Sequence, residues 1–356
     1  MPRIHAYVGC RTTRERNARG EGIGIYEIDS TSGRWALIDV CSTLDNPSFL
    51  ALNARQDRLY AVHGDGSQVS GYRIDPASGR LSMLSTQSCE GLNPVHLALS
   101  RDGASLVVAN YATGTAARLP LGGDGQVLPV SSVVPLPGVP GPHRTEQAGA
   151  HPHQISRYAT TRCDSDWHIV PDKGLDTVFA VRWMGSGEPI VLGHRCREGS
   201  GPRHAAFHPM LPIVYVANEL DSTVTTWRFD VLSGELEPLD TVSTIPRRAH
   251  SVTRAAGIVI DPYGRHLYVS NRGHDSIVTF RLDDASGLPN APRWIDAQGD
   301  FPRFICLGPS GDDLLVANER SDTIVQFMRD KVTGDLTPTG HTVHTGSPVC
   351  IVFKTE

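Results

Sequence analysis

The chain has 356 residues, a formal charge of −5 and no run of Lys and Arg, which argues against nucleic acid or an anionic membrane as the main partner but leaves room for a local cationic pocket. Its start, Met-Pro-Arg-Ile-His-Ala-Tyr-Val, lacks the apolar core of a signal peptide, and no stretch approaches the roughly 18 apolar residues of a membrane span, so a soluble cytoplasmic protein is expected. Seven cysteines without a Cys-x-x-Cys pair read as reduced structural thiols, and 35 Gly and 25 Pro are spread so evenly that residues 1–356 are expected to form one repetitive domain.

Short apolar runs separated by turn residues begin at once. Ala6 to Val8, Gly24 to Ile28 and Trp35 to Val40 read as strands, and hairpin-like pairs follow: Pro47 to Leu52 with Leu59 to His63, and Pro94 to Leu99 with Leu106 to Asn110. The next stretch is irregular. A loop insertion over about 133–152, rich in Pro and Gly, leads into His151-Pro-His153, and a second insertion from Arg157 to Asp166 widens the hairpin that ends at Asp172. The unit from 202 shows four strands, Arg203 to Phe207, Ile213 to Asn218, Ser222 to Phe229 and Leu236 to Val242. Weaker and stronger copies follow at 256–271 and 302–319.

The residue after each Tyr-Val-like run is Cys10, His63, Asn110, Asp172, Asn218, Asn271 and Asn318, at intervals of 46 to 62 residues. Seven such units of four short strands, with no useful helical periodicity, predict an all-β fold, a seven-bladed β-propeller. The chain opens on a second strand and closes on an orphan first strand, Pro348 to Phe353. The ring is therefore expected to close by pairing N- and C-terminal strands in one blade, which leaves no open sheet edge between first and last blades.

In such a ring the innermost strand starts, and the next strand ends, on one face. Ser48, His96, His153, Arg203, Arg303 and Pro348 at strand starts, with Arg11, His63, Asn110, Lys173, Glu219, Arg272 and Glu319 at strand ends, are expected around one mouth of the channel. Arg203 and Glu219 stand 16 positions apart across one hairpin, and Arg303 and Glu319 repeat that spacing. Imidazole, guanidinium and carboxylate together suit a small anionic ligand and proton transfer.

The motifs Gly201-Pro-Arg-His-x-x-Phe-His-Pro with Val-Ala-Asn-Glu219, Ala150-His-Pro-His153-Gln, Val170-Pro-Asp-Lys-Gly-Leu-Asp176, Asn93-Pro-Val-His96 with Val-Ala-Asn-Tyr111, and Tyr268-Val-Ser-Asn-Arg272-Gly-His resemble those of the seven-bladed propeller lactonases. That family includes 6-phosphogluconolactonases and fungal carboxymuconate-lactonising enzymes. The resemblance covers essentially the whole chain and implies a catalytic quartet of His153, Arg203, Glu219 and Arg272. His96, His151, Lys173, Arg303 and Glu319 are expected to bind substrate. Two features depart from the pattern: the segment after His153 lacks the usual Ser-Pro-Asp-Gly turn, and Lys173 replaces a more usual apolar residue.

The resemblance implies hydrolysis of a sugar-acid or related carboxylated lactone, phosphorylated or not, with no cofactor and no metal. His151 and His153 lack a third ligand at metal spacing. Either Glu219 or His153 could be the base, with Arg203 and Arg272 holding anion and oxyanion. The alternatives are a muconate-type cycloisomerase, a non-catalytic binding propeller, and a calcium-dependent lactonase using Asn110, Asp172, Asn218 and Glu219. Arg203 and Glu219 could also be only a structural pair, and His204 and His208 read as packing or turn residues. The oligomeric state is left open.

Overall fold

The computed structural model describes residues 4–29, 31–185, 188–248 and 252–355. Among these residues seven four-stranded antiparallel sheets form, and the only helical element is a 3-10 turn at Arg14–Arg16. Blade 1 joins the two ends of the chain: Pro348–Thr355 is its innermost strand, followed by Ile4–Cys10, Ile23–Ile28 and Trp35–Cys41. The register sets Ala6 opposite Phe353 and Val8 opposite Ile351, which is the expected closure. Blades 2 to 7 open with Pro47–Leu52, Pro94–Leu99, Ser156–Ala159, Pro202–Phe207, Arg254–Ile260 and Pro302–Leu307.

Apolar side chains alternate along these strands and fill the spaces between neighbouring sheets. Seven separate core clusters result, one per blade interface. Trp167, Val178, Trp227 and Phe229 fill the space between blades 4 and 5, while Val8, Tyr26, Leu315 and Ile324 fill that between blades 1 and 7. Seven interfaces for seven blades mean a closed ring. Buried tyrosines add a polar tie between neighbours: the Tyr7, Tyr215 and Tyr268 hydroxyls donate to the carbonyls of Gly79, Gly287 and Gly334 in the outer turn of the next blade, at 2.8, 2.6 and 3.1 Å.

One device positions the site. Asn46, Asn93, Gly201, Phe301 and Ser347 adopt left-handed φ of 44 to 67° immediately before Pro47, Pro94, Pro202, Pro302 and Pro348. The pairing then skips one residue, Ser48, Val95, Arg203, Arg303 or Val349, as a β-bulge in the innermost strand. A bulge re-aims its side chain and shifts every later residue by one place on the sheet.

Both insertions read from sequence contain some strand. Residues 133–135 belong to the outermost strand of blade 3, Ser132–Pro135, which pairs with Thr115–Arg118 and needs only one buried face, so the loop begins after Pro135. The segment from Arg157 to Asp166 is largely strand: Ser156–Ala159 pairs with Asp164–Asp172 around a four-residue turn. All seven cysteines are free.

Candidate active site

Glu219, at the inner end of blade 5, is the centre of the mouth. Its Oε2 lies 3.0 Å from Arg203 Nε and 2.8 Å from Arg272 Nη2, and its Oε1 lies 3.1 Å from Lys173 Nζ and 3.3 Å from Arg254 Nη1. Four cations thus surround one carboxylate at ion-pair distance. Burial alone would push the Glu219 carboxyl up; Arg272, Lys173 and Arg203 outweigh it and hold the group well below the usual carboxylate range. Burial likewise works against the Lys173 ammonium, and Glu219 and Tyr111 reverse it.

The arginines are aimed by backbone. Arg203 is the bulge residue of its strand, and its Nη1 donates to the Ala256 carbonyl at 2.7 Å, while Arg272 Nη2 donates to the Ala255 carbonyl at 3.2 Å. Blade 6 admits them because its inner strand runs Ala255-Ala256-Gly257 where other blades carry larger side chains; a Cβ at Gly257 would meet the Ile305 backbone nitrogen at 2.9 Å.

His153 completes the quartet from blade 4. Its backbone N–H donates to the Pro171 carbonyl at 3.0 Å, and its ring packs edge-on against Tyr111 and His204 at 5.6 and 5.2 Å between centroids. Its Nδ1 is buried with no hydrogen-bond partner. Burial, then the Arg203 charge, hold the imidazole well below its ordinary value, so it is neutral at pH 7. His151 stacks on Tyr111 at 4.6 Å, and its Nδ1 donates to the Tyr111 carbonyl at 2.9 Å.

Arg303 and Glu319 form the repeat pair at 3.6 Å on blade 7, across the mouth. His96 sits one residue deeper than its expected place, because the bulge in blade 3 falls on Val95. It belongs to a layer beneath the charged ring, with Phe49 at 3.8 Å and His204 at 6.0 Å; Phe49 in turn meets Phe304 at 6.3 Å. This chain of contacts joins rings from blades 2, 3, 5 and 7, so the side chains reach across the channel and form a floor beneath the cup-shaped mouth. Burial drives the His96 imidazole down to about 3. His204, read as a packing residue, is part of this floor, while His208 caps a turn by accepting the Met210 and Leu211 N–H groups.

Two residues escaped the sequence. Arg254 opens the inner strand of blade 6, which lacks the X-Pro signal that marks the others, and the 16-residue spacing of the Arg203 and Glu219 hairpin, counted back from Arg272, reaches Ala256 instead. Glu146, from the loop after Pro135, bridges Lys173 and Arg254 at 2.6 and 2.8 Å, and no periodicity announces a loop residue. With Arg11 and Arg16 on Asp65, these ion pairs bring together, among the described residues, seven cations (Arg11, Arg16, Lys173, Arg203, Arg254, Arg272, Arg303) and four carboxylates (Asp65, Glu146, Glu219, Glu319).

Among the described residues no group of three or more His, Cys, Asp or Glu is placed to hold a metal ion. Of the groups considered for calcium, Asn110 and Asn218 donate from Nδ2 to Thr115 and Thr223 while their Oδ1 atoms are buried without a partner, and Asp172 accepts the N–H groups of His151, Gly174 and Leu175 through Oδ1 while its Oδ2 has none.

The sequence profile of the family described as Lactonase, 7-bladed beta-propeller matches residues 5–353. The chain belongs to this family. It is 30% identical to the 6-phosphogluconolactonase of Bacillus subtilis over 355 residues, 99% of each chain. Among solved structures it is similar to the Pseudomonas aeruginosa periplasmic gluconolactonase PpgL, with a TM-score of 0.88 and 30% identity over 99% of both chains, and to a Lactobacillus plantarum protein with a TM-score of 0.89 and 28% identity over 99% of this chain and 100% of that one. No helix among the described residues is long and apolar enough to cross a membrane.

Proposed function

We propose that the protein is a hydrolase of sugar-acid lactones, with His153 as the general base. One observation carries the choice of base: Glu219 is ion-paired to four cations at 2.8 to 3.3 Å, while the neighbouring neutral imidazole keeps a buried, unpartnered nitrogen. A carboxylate so paired is a poor proton acceptor and a good anchor. Glu219 is therefore the positioning residue that sets Arg203 and Arg272.

His153 takes the proton of a water as its oxygen attacks the lactone carbonyl. Arg203 and Arg272 stabilise the tetrahedral oxyanion, and its collapse breaks the ring C–O bond. The proton on His153 then passes to the departing alkoxide, giving the open hydroxy acid. The excess of cations over carboxylates favours the acid so formed and any further anionic group on the substrate. The named relatives act on gluconolactones, and the cycloisomerase alternative draws no support from them. The test is a panel of aldonolactones, phosphorylated and not, with carboxymuconate, assayed with and without a chelator. Hydrolysis of an aldonolactone in both conditions is expected; turnover of carboxymuconate alone, or chelator-sensitive turnover restored by calcium, would overturn the reading.

A further inference from the structure

The half of the mouth formed by blades 7, 1 and 2 supplies neither the base nor the oxyanion contacts of the reaction above, yet it is built. Arg11, at the inner end of blade 1, is 3% exposed and Ser48, the bulge residue of blade 2, is 7% exposed. Arg11 Nε and Nη1 and Ser48 Oγ are buried without a hydrogen-bond partner, and so is Oε2 of Glu319 beside them. The charged neighbours are Asp65 at 3.6 Å from Arg11 Nη1, Arg16 on the far side of Asp65, and Arg303 at 3.6 Å from Glu319.

The unpartnered donors converge on a small space. A Cβ placed on Gly64 would stand 2.9 Å from Arg11 Nη1 and 3.0 Å from Ser48 Oγ. Gly64 does not have the positive φ that would make glycine a backbone requirement, so what the missing side chain secures there is room.

The set is mixed: two guanidinium donors, a hydroxyl that does either, and a carboxylate oxygen that only accepts. A phosphate or carboxylate only accepts hydrogen bonds here and would face the Glu319 and Asp65 charges. A carbon-bound hydroxyl both donates and accepts, and a pair of neighbouring hydroxyls can satisfy an arginine and a glutamate at once. Leaving such buried groups unpaired costs binding energy, which is how a site rejects an analogue without the hydroxyl. From this geometry we infer that Arg11, Ser48 and Glu319 form a subsite for the hydroxyls of a polyhydroxylated lactone, held across the mouth from His153. The inference rests on the lactonase reading for the identity of the ligand but not for the existence of the subsite.

The experiment compares an aldono-δ-lactone with unsubstituted δ-valerolactone, using the full chain and the variants Ser48→Ala and Gly64→Ala. In both variants the ratio of kcat/KM for the aldonolactone over δ-valerolactone falls about tenfold, the scale of one lost hydrogen bond to a charged or buried group. Gluconate binding, followed by calorimetry, weakens in parallel. Ser48→Ala only removes an oxygen and carries the test if Gly64→Ala does not fold. If both substrates decline together, or the ratio stays fixed and gluconate binds the variants as it binds the parent, the subsite is refuted while the lactonase reading stands. If no lactone is hydrolysed but gluconate binding still depends on Ser48, the subsite stands and the reaction assignment fails.

Discussion

Glu219 and Arg272 come from neighbouring blades and meet at 2.8 Å between Oε2 and Nη2, with both side chains 4% exposed. Arg203 shares that oxygen, and Lys173 and Arg254 hold the other. The contact is thus a seam between blades as well as part of the proposed active site, and Glu219→Gln tests both roles. Removing one partner of a buried ion cluster costs about 3–5 kcal/mol, so the melting temperature falls. The arginines lose their anchor, so kcat/KM on an aldonolactone falls as well. Both quantities are measured on one sample. A destabilised variant with full activity per folded molecule would reduce the cluster to a structural one.

His153→Gln should behave differently. The unpartnered Nδ1 has no hydrogen bond to lose, so the thermal midpoint moves little, while kcat drops by about 10² to 10⁴, the usual worth of general-base catalysis. Since burial keeps this imidazole in its base form well below pH 6.5, the parent's kcat/KM should stay flat from neutral pH into mild acid and decline only below. Retained kcat in His153→Gln would return the base to Glu219.

Arg203→Lys keeps the charge and loses the shape. The guanidinium spans from Glu219, through Nε, to the Ala256 carbonyl, through Nη1; a single ammonium cannot make both contacts and still face a substrate oxyanion. A loss of about 10- to 100-fold in kcat/KM is expected from one misplaced charge-assisted contact. Steady-state kinetics on the folded variant check it, and parental activity would show that charge alone suffices at this position.

The ring and its closure were legible because most blades repeat Pro near the start of one strand and Asn or its substitute at the end of the next, and because strands alternate with period two. Arg203 and Glu219 were legible for the same reason. His96 was displaced by one residue, since a bulge inserts a position that alternation does not register, and in blade 3 that position is Val95 rather than a polar residue. Arg254 was hidden by the absence of an X-Pro pair in blade 6. Glu146 was hidden because it reaches Lys173 from a loop whose path depends on tertiary contacts alone.

The buried imidazoles give the fold a pH dependence of determinate sign. Burial, as the first cause, lowers His96 to about 3 and His168 to about 4, and holds His153 and His204 well below 6.5. In the unfolded chain these groups titrate near 6.5. Between that value and the folded one the unfolded chain binds protons that the native protein refuses, so native stability rises with pH in this window and is lost on acidification. Each imidazole contributes a slope of up to about 1.4 kcal/mol per pH unit. Glu219, whose folded value lies well below the carboxylate range, adds its own loss only once the pH falls below about 4.3. Urea unfolding at pH values from 8 to 4.5 should therefore show a plateau down to about 6.5 and a steep decline beneath it. His96→Phe, which keeps a ring against Phe49 and removes the proton site, should make that decline shallower by about one proton's slope. Stability that stays level from pH 7 to 5, or a slope unchanged in His96→Phe, would mean that the floor of the cup accepts protons without opening.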